Sequence, residues 1–214
     1  MITSHRLSNT SDRAEALNYI KGLKATNPNF TLVDVGGSAN LWTKEYVTHV
    51  VDFSKSEADV QHFLGNITDV EVWNQVLEYV AKNGKFSFAT CTHTLEDISS
   101  PVMVCNMLSK IAHEGYIAIP SKYVELSHPE GQWLGFIHHR WIYDVKNNTF
   151  LGYPKQNFLE HMSYIHDWAN KNQRYGREEL QFFWKDQVGL KVINDDYLGP
   201  NTQSVINYYT ELVS

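Results

Sequence analysis

The chain has 214 residues, 43% of them apolar and 20% charged, and a formal net charge of −6. That size supports one domain with a substantial core, and the acidic balance argues against a protein that grips bulk nucleic acid, which needs a basic face. No apolar run reaches membrane-spanning length, residues 1–6 carry no secretory apolar segment, and the two cysteines, Cys91 and Cys105, lack metal-ligand spacing. A cytoplasmic protein with buried thiols and no membrane partner is the expectation, with the oligomeric state left open.

Residues 11–24 place Ala14, Leu17, Ile20 and Leu23 on one face, which predicts an amphipathic helix behind a Ser11/Asp12 cap. Asn27-Pro28-Asn29 breaks it before a strand at 30–35, a short helix at 38–45 and a strand at 48–52. Residues 63–67 read as a short third strand or a loop. Thr68 to Glu71 has capping-box spacing, and Trp73, Val76, Leu77 and Val80 form the apolar face of the helix it opens, which Gly84 ends. A strand at 86–90 follows. Ser100-Pro101 then starts a helix with Val104, Leu108 and Ile111 inward, and Gly115 is expected to stop it before a strand at 116–119.

Helix and strand thus alternate over 11–119, as crossovers on a parallel sheet do. Beyond that the pattern changes. Residues 132–153 read as two strands joined by Lys146-Asn147-Asn148-Thr149, followed by a helix at about 155–170. Strands at 180–185 and 189–195 precede a C-terminal helix carrying Val205, Ile206, Tyr209 and Val213. The expectation is one α/β domain over 1–214, with a substrate-covering insertion at 121–175.

The first strand closes on Val33-Asp34-Val35-Gly36-Gly37 and the second on Asp52. Paired glycines after a strand let backbone N–H groups approach a ligand closely. An acid ending the next strand is the usual device for holding ribose hydroxyls in an open α/β sheet. Together they point to a nucleoside-containing cofactor. The plainer alternative is a structural turn plus a surface Asp.

The run from Phe86 to Pro101, with its Thr-His-Thr-Leu-Glu-Asp centre, resembles the segment after the fourth strand of class I S-adenosylmethionine-dependent methyltransferases. Residues 33–37 resemble that family's first motif, 50–52 its second, and Gly65-Asn66-Ile67-Thr68-Asp69 the segment after its third strand. The resemblance covers about half the chain. It implies a Rossmann-like fold: a mostly parallel sheet flanked by helices, with an antiparallel last strand. It also implies S-adenosylmethionine as cofactor, with Gly36 and Gly37 facing its methionine moiety and Asp34 accepting from its amino group directly or through water. Asp52 would hold the ribose, Asn66 and Ile67 would lie near adenine, and Thr90 to Thr92 would line the sulfonium pocket. The chain departs from the family at Ser38-Ala39, where a third glycine is usual, at Asn66, usually Asp, and at Asp97, often His.

Methyl transfer to a hydroxyl also needs a base. His93 is one candidate, and a packing or capping histidine is the alternative reading of it. In the stretch Gly135-Phe-Ile-His-His-Arg-Trp141, a strand would put His138 and Arg140 on one face. Such a face could present a base and a cation that pairs a carboxylate or phosphate bidentately; ordinary sheet packing is equally open. No metal is expected, because neighbouring histidines in a strand point apart and no third ligand is spaced to help. His128, His161, His166 and Asp167 read as surface. The functional expectation is a methyltransferase acting on a small polar acceptor, by O-methylation ahead of N-methylation. Its rivals are an NAD(P)-dependent oxidoreductase, which would want a G-x-G-x-x-G turn and a Tyr-x-x-x-Lys pair absent here, and a non-catalytic binding module on the same fold.

Overall fold

The first strand is one that the residue pattern hides. Ile2–Ser8 (β1) buries only its two end residues, so it carries no alternating signal, and it pairs antiparallel with a strand near the other end of the chain. The computed structural model describes residues 1–37, 42–55, 59–127, 131–173, 175–193 and 202–214, without the side chains of 202, 204, 205 and 208. Ser38-Ala39, His128, the side chain of Val205 and parts of the expected 38–45 helix and 189–195 strand lie outside the described residues.

After β1 come α1 (Ala14–Thr26), β2 (Leu32–Val35), β3 (His49–Asp52), β4 (Gln61–Leu64), α2 (Val70–Asn83), β5 (Phe88–Thr92), α3 (Pro101–Ile111), β6 (Glu114–Pro120) and α4 (Lys122–Glu125). A hairpin of β7 (Trp141–Lys146) and β8 (Thr149–Pro154) follows, then a 3-10 turn at Asn157–His161 and α5 (Ser163–Asn172). The chain closes with β9 (Glu179–Lys185), β10 (Leu190–Val192) and α6 (Thr202–Leu212). Seven strands form one sheet in the order β4-β3-β2-β5-β6-β9-β1, parallel from β4 to β6 and antiparallel at β9. The expected mostly parallel α/β sheet is therefore present.

Hydrophobic burial holds helices to both faces. Ala16 and Ile20 of α1 pack with Phe30, Leu32, Val50 and Phe88 on one side. Val72, Trp73 and Val76 of α2 and Val104, Leu108 and Ile111 of α3 pack on the other. Each fully buried aliphatic or Phe side chain contributes roughly 1.5–3 kcal/mol. The hairpin continues this second layer by period two: Tyr143, Val145 and Phe150 face the main sheet with Phe182 and Trp184. Ile142, Leu151 and Tyr153 face α5 and α6. Its turn residues Asn147 and Asn148 have φ of 51° and 57°, the conformation a two-residue turn needs to match strand twist.

Several local expectations are corrected. The buried edge of α1 runs through Arg13, Ala16 and Ile20, leaving Ala14 exposed, because Arg13 is drawn inward by an acid on β9. The capping box does not form at α2: Thr68 donates its N–H and hydroxyl to Asn66 Oδ1 instead. Gly115 does not end α3, which stops at Ile111. It sits inside β6, where a Cβ would come within 2.4 Å of the Ala89 carbonyl and 2.7 Å of the Trp184 indole. Residues 132–140 are turns rather than strand. The strand β10 leaves the main sheet to pair parallel with β8, after the chain turns at Asp186 (φ 61°) and Val188 is pinned by the Ser109 hydroxyl of α3.

Candidate active site

The parallel strands β2, β3, β4 and β5 deliver Gly36, Asp52, Asn66 and His93 to the same carboxyl edge, where open α/β sheets bind ligands. There a cavity of about 510 Å³ is lined by Gly36, Asp52, Phe53, Asn66, Ile67, His93, Thr94, Asp97 and Ile98. Four of the expected cofactor residues thus share one wall. Asp52 Oδ1 accepts the backbone N–H and hydroxyl of Ser54, each at 2.8 Å, which fixes the carboxylate at the cavity rim. Gly36 has φ of 72°, and a Cβ there would collide with the Thr94 methyl at 2.2 Å. The Thr94 hydroxyl lies 3.1 Å from the Gly36 carbonyl, so the turns after β2 and β5 are locked together.

Asp34 does not line this cavity. It is fully buried beneath Gly37, accepts the Thr43 hydroxyl at 3.1 Å through Oδ2, and has no partner for Oδ1. Burial pushes its carboxyl up to about 7, against the opposing help of the Thr43 hydroxyl. Thr90 and Thr92 are also buried and line neither this cavity nor its neighbour. The segment after β5 that does line them is His93 to Ile98.

His93 is held in left-handed backbone (φ 49°), a conformation that costs of order 1–3 kcal/mol and persists only when its surroundings impose it. Its Nε2 lies 2.5 Å from Glu179 Oε1 and its Nδ1 3.4 Å from Glu96 Oε1. Glu179 is fully buried and also takes a two-pronged contact from Arg13 and a hydrogen bond from Gln181. Burial alone would lower the His93 pKa, but Glu179 and Glu96 outweigh it and raise it to about 9. The two carboxylates thus favour the imidazolium form, which has no free lone pair with which to take a proton.

A second cavity, of about 520 Å³, adjoins the first; His93 and Asp97 line both. Its other walls include Glu96, Val124, Phe136, His138, His139 and Glu178. The chain entering β7 is clamped to the post-β5 loop: Arg140 N–H donates to the Glu96 carbonyl (2.7 Å), Trp141 Nε1 to Ile98 (2.8 Å) and the Tyr143 hydroxyl to Leu95 (2.8 Å). That clamp lays both histidines against Asp97, at 3.8 Å for His138 and 3.6 Å for His139. The reasoning that neighbouring histidines point apart fails here, because they occupy a turn with ring centroids 4.4 Å apart. His139 is raised in pKa, since its contact with Glu125 outweighs burial. Arg140 is exposed and lines neither cavity. His166 is half-buried, its Nε2 at the Leu159 carbonyl, while His161 and Asp167 are exposed.

Sequence reasoning missed Phe53, Thr94, Glu96, Asp97 as a site residue, Glu125 and Glu179. Phe53 had a usable signal: it directly follows the ribose-type acid and is 81% exposed beside the cavity. Glu179 had none, lying 86 residues from His93.

No protein-family model and no curated protein matches the chain. Solved structures do resemble it. One is a SAM-dependent methyltransferase from Archaeoglobus fulgidus, with 16% identity and a TM-score of 0.42 over 81% of this chain and 92% of that one. Another is a SAM-dependent methyltransferase, possible histamine N-methyltransferase, from Thermotoga maritima, with 11% identity and a TM-score of 0.41 over 82% and 90%. A third is a plantazolicin methyltransferase in complex with a desmethyl analogue and SAH, with 10% identity and a TM-score of 0.44 over 83% and 86%.

Proposed function

We propose that this chain is an S-adenosylmethionine-dependent methyltransferase acting on a hydroxyl of a small polar acceptor. One observation carries the reading: two cavities of similar size meet at the carboxyl edge and share His93 and Asp97 as a common wall, the layout for bringing a donor and an acceptor face to face. The donor cavity fits the cofactor. Asp52 at the rim offers a carboxylate suited to ribose hydroxyls, and Phe53 and Ile67 offer apolar surface to a flat ring; Asp34, fully buried beneath Gly37 and outside the cavity, would meet an amino group only through a bridging water. Bound there, the cofactor supplies an already activated methyl group.

The chain's own work is alignment, exclusion of water and removal of the acceptor proton. As an imidazolium, His93 organises the shared wall and leaves the base to a carboxylate. Glu96 fits that part, being buried with Oε2 unpartnered at the acceptor cavity. With Glu96, Asp97 and Glu178 lining it and Arg140 outside, this cavity suits a hydroxyl or amine better than a carboxylate or phosphate. Residues 121–175 act as the substrate cover, contributing Val124, Phe136, His138, His139 and Gln173. Among the described residues no helix is long and apolar enough to cross a membrane, and the buried unpaired thiols Cys91 and Cys105 suit a reducing cytoplasm.

Calorimetry with S-adenosylhomocysteine and with NAD+ tests the donor half. Binding of the former only is expected, weakened by about 1–3 kcal/mol in Asp52→Ala, as a charged acceptor of two hydroxyls is lost. NAD+ binding, or an Asp52→Ala variant of full affinity, would overturn the assignment. Labelled-methyl transfer to metabolite fractions, with Glu96→Gln as the inactive control, tests the acceptor half.

A further inference from the structure

We propose that Asp97, His138 and His139 bind a divalent transition-metal ion in the wall of the acceptor cavity. The donor atoms are nearly in place: each histidine Nε2 lies 3.6–3.8 Å from Asp97 Oδ1, and all three ligand atoms fall within 4.8 Å of one another. Ligands in a tetrahedral zinc site stand roughly 3.3 Å apart, given metal–ligand bonds of about 2.0–2.1 Å. Closure therefore asks only a small rotation of His138 and Asp97, whose side chains are 59% and 44% exposed.

The support behind the ligands points the same way. His139 turns its Nδ1 to the buried Glu125 at 2.5 Å, and Lys155 holds the other Glu125 oxygen at 3.3 Å. A carboxylate on the far nitrogen of an imidazole is the recurrent second layer of histidine–metal sites, because it fixes the ring and makes the facing nitrogen a better ligand. Here the facing nitrogen is Nε2, aimed at Asp97.

The cavity adds a third argument. Its wall carries Glu96, Asp97 and Glu178, and the buried Glu96 Oε2 has no partner. A cation offsets that concentration of acidic groups. Two imidazoles and one carboxylate suit zinc, manganese, iron or cobalt rather than calcium, and three protein ligands leave positions open to the cavity, as catalytic sites do. If the methyl-transfer reading holds, the ion would bind the acceptor hydroxyl and make it more acidic. The binding site itself does not depend on that reading.

The test is titration of the full chain with Zn2+ by calorimetry and with Co2+ by visible spectroscopy, both without cofactor. One equivalent should bind, with nitrogen-ligand features in the cobalt spectrum. Asp97→Asn and His138→Ala, both at exposed positions that leave the fold intact, should each weaken binding by more than about tenfold, and Glu125→Gln by roughly 10–100-fold. His5→Ala on the edge strand should change nothing. A wild-type chain that binds neither ion, or Asp97 and His138 variants that bind as wild type does, overturns the site. Metal binding without S-adenosylhomocysteine binding would sink the methyltransferase reading and leave the site standing; the converse pair of results would do the reverse.

Discussion

His93 Nε2 stands 2.5 Å from Glu179 Oε1, tying a left-handed residue in the loop after β5 to the first residue of the antiparallel strand β9. His93 lines both cavities and Glu179 holds it from the interior, so the charge state of the pair sets how firmly this part of their shared wall is held. The folded-state pKa of His93, about 9, lies above its ordinary 6.5. Stabilisation from the pair is therefore complete below pH 6.5 and lost as pH rises through 9. The side chain is 41% exposed, so solvent screening keeps the effect small. His93→Asn removes the titration while keeping a residue that tolerates positive φ. The melting-temperature gap between wild type and this variant should be widest below about pH 6.5, shrink as pH rises, and close above about pH 9. A gap that stays constant across that interval would show that the pair is not ionic.

Asp34 also loses stabilisation as pH rises, but through its neutral form rather than a charged one. Its folded-state pKa of about 7 lies above the ordinary 3.8 because it is buried, so its protonated form favours the fold and that contribution fades as pH rises from 3.8 through 7. Asp34 lines neither cavity, so a cofactor amino group would reach it through a bridging water, and that contact would favour the ionised form. Affinity for S-adenosylhomocysteine should therefore rise with pH up to about 7 and then level off, while Asp34→Asn binds more weakly with no such rise. Parallel pH profiles in the two proteins would remove Asp34 from the site.

What could be read in the residues follows their range of interaction. The helices α2 and α3 and the strands β2, β3, β5 and β6 carry apolar periodicity along contiguous stretches, and local pattern alone places them. Asp52, Gly36, Asn66 and Ile67 sit at strand ends, so a short motif finds them too. The strand β1 was hidden because an edge strand exposes most of its side chains, and the turns at 132–140 because a run rich in apolar and aromatic residues does not guarantee strand pairing. The Arg13–Glu179–His93 network joins residues 166 and 86 positions apart; no local pattern encodes it. For the same reason the metal-type cluster was hidden: the clamp between the post-β5 loop and β7 brings Asp97 to the histidines.

Gly115 shows how a residue read as a helix stop can have a different physical role. In β6 its missing side chain leaves the space that the Ala89 carbonyl and the Trp184 indole both crowd. Gly115→Ala should lower stability by about 1–3 kcal/mol, the usual penalty for overpacking a core that cannot give. Chemical denaturation reads this directly. A variant within about 0.5 kcal/mol of wild type would mean that Trp184 moves freely.

Thr94 offers a test of how the turn after β2 is held. Its hydroxyl lies 3.1 Å from the Gly36 carbonyl and 3.0 Å from that of Thr92. Thr94→Val keeps the shape, including the methyl that packs on Gly36, and removes the donor. It should cost about 1–3 kcal/mol in stability through unsatisfied carbonyls and weaken S-adenosylhomocysteine binding. Intact binding in the variant would show that the turn holds its conformation without the hydroxyl.

Arg13 and Glu179 are a buried ion pair, and such pairs are costly to break from one side. Glu179 is fully buried and Arg13 8% exposed, the guanidinium spanning both carboxylate oxygens and resting over Trp42 at 5.6 Å. Arg13→Met leaves an acid in the interior with only His93 and Gln181 to answer it, and should destabilise the protein by about 3–5 kcal/mol. Arg13→Met with Glu179→Leu removes both charges and should recover most of that loss, since well-packed apolar groups replace buried ion pairs at little cost. The double variant also frees His93 of its stronger anionic neighbour, so the imidazole pKa measured by NMR should fall back toward 6.5, the value the ring has without such neighbours. Two results would refute this network: a single variant as stable as the double, or a His93 pKa that stays near 9 once Glu179 is gone.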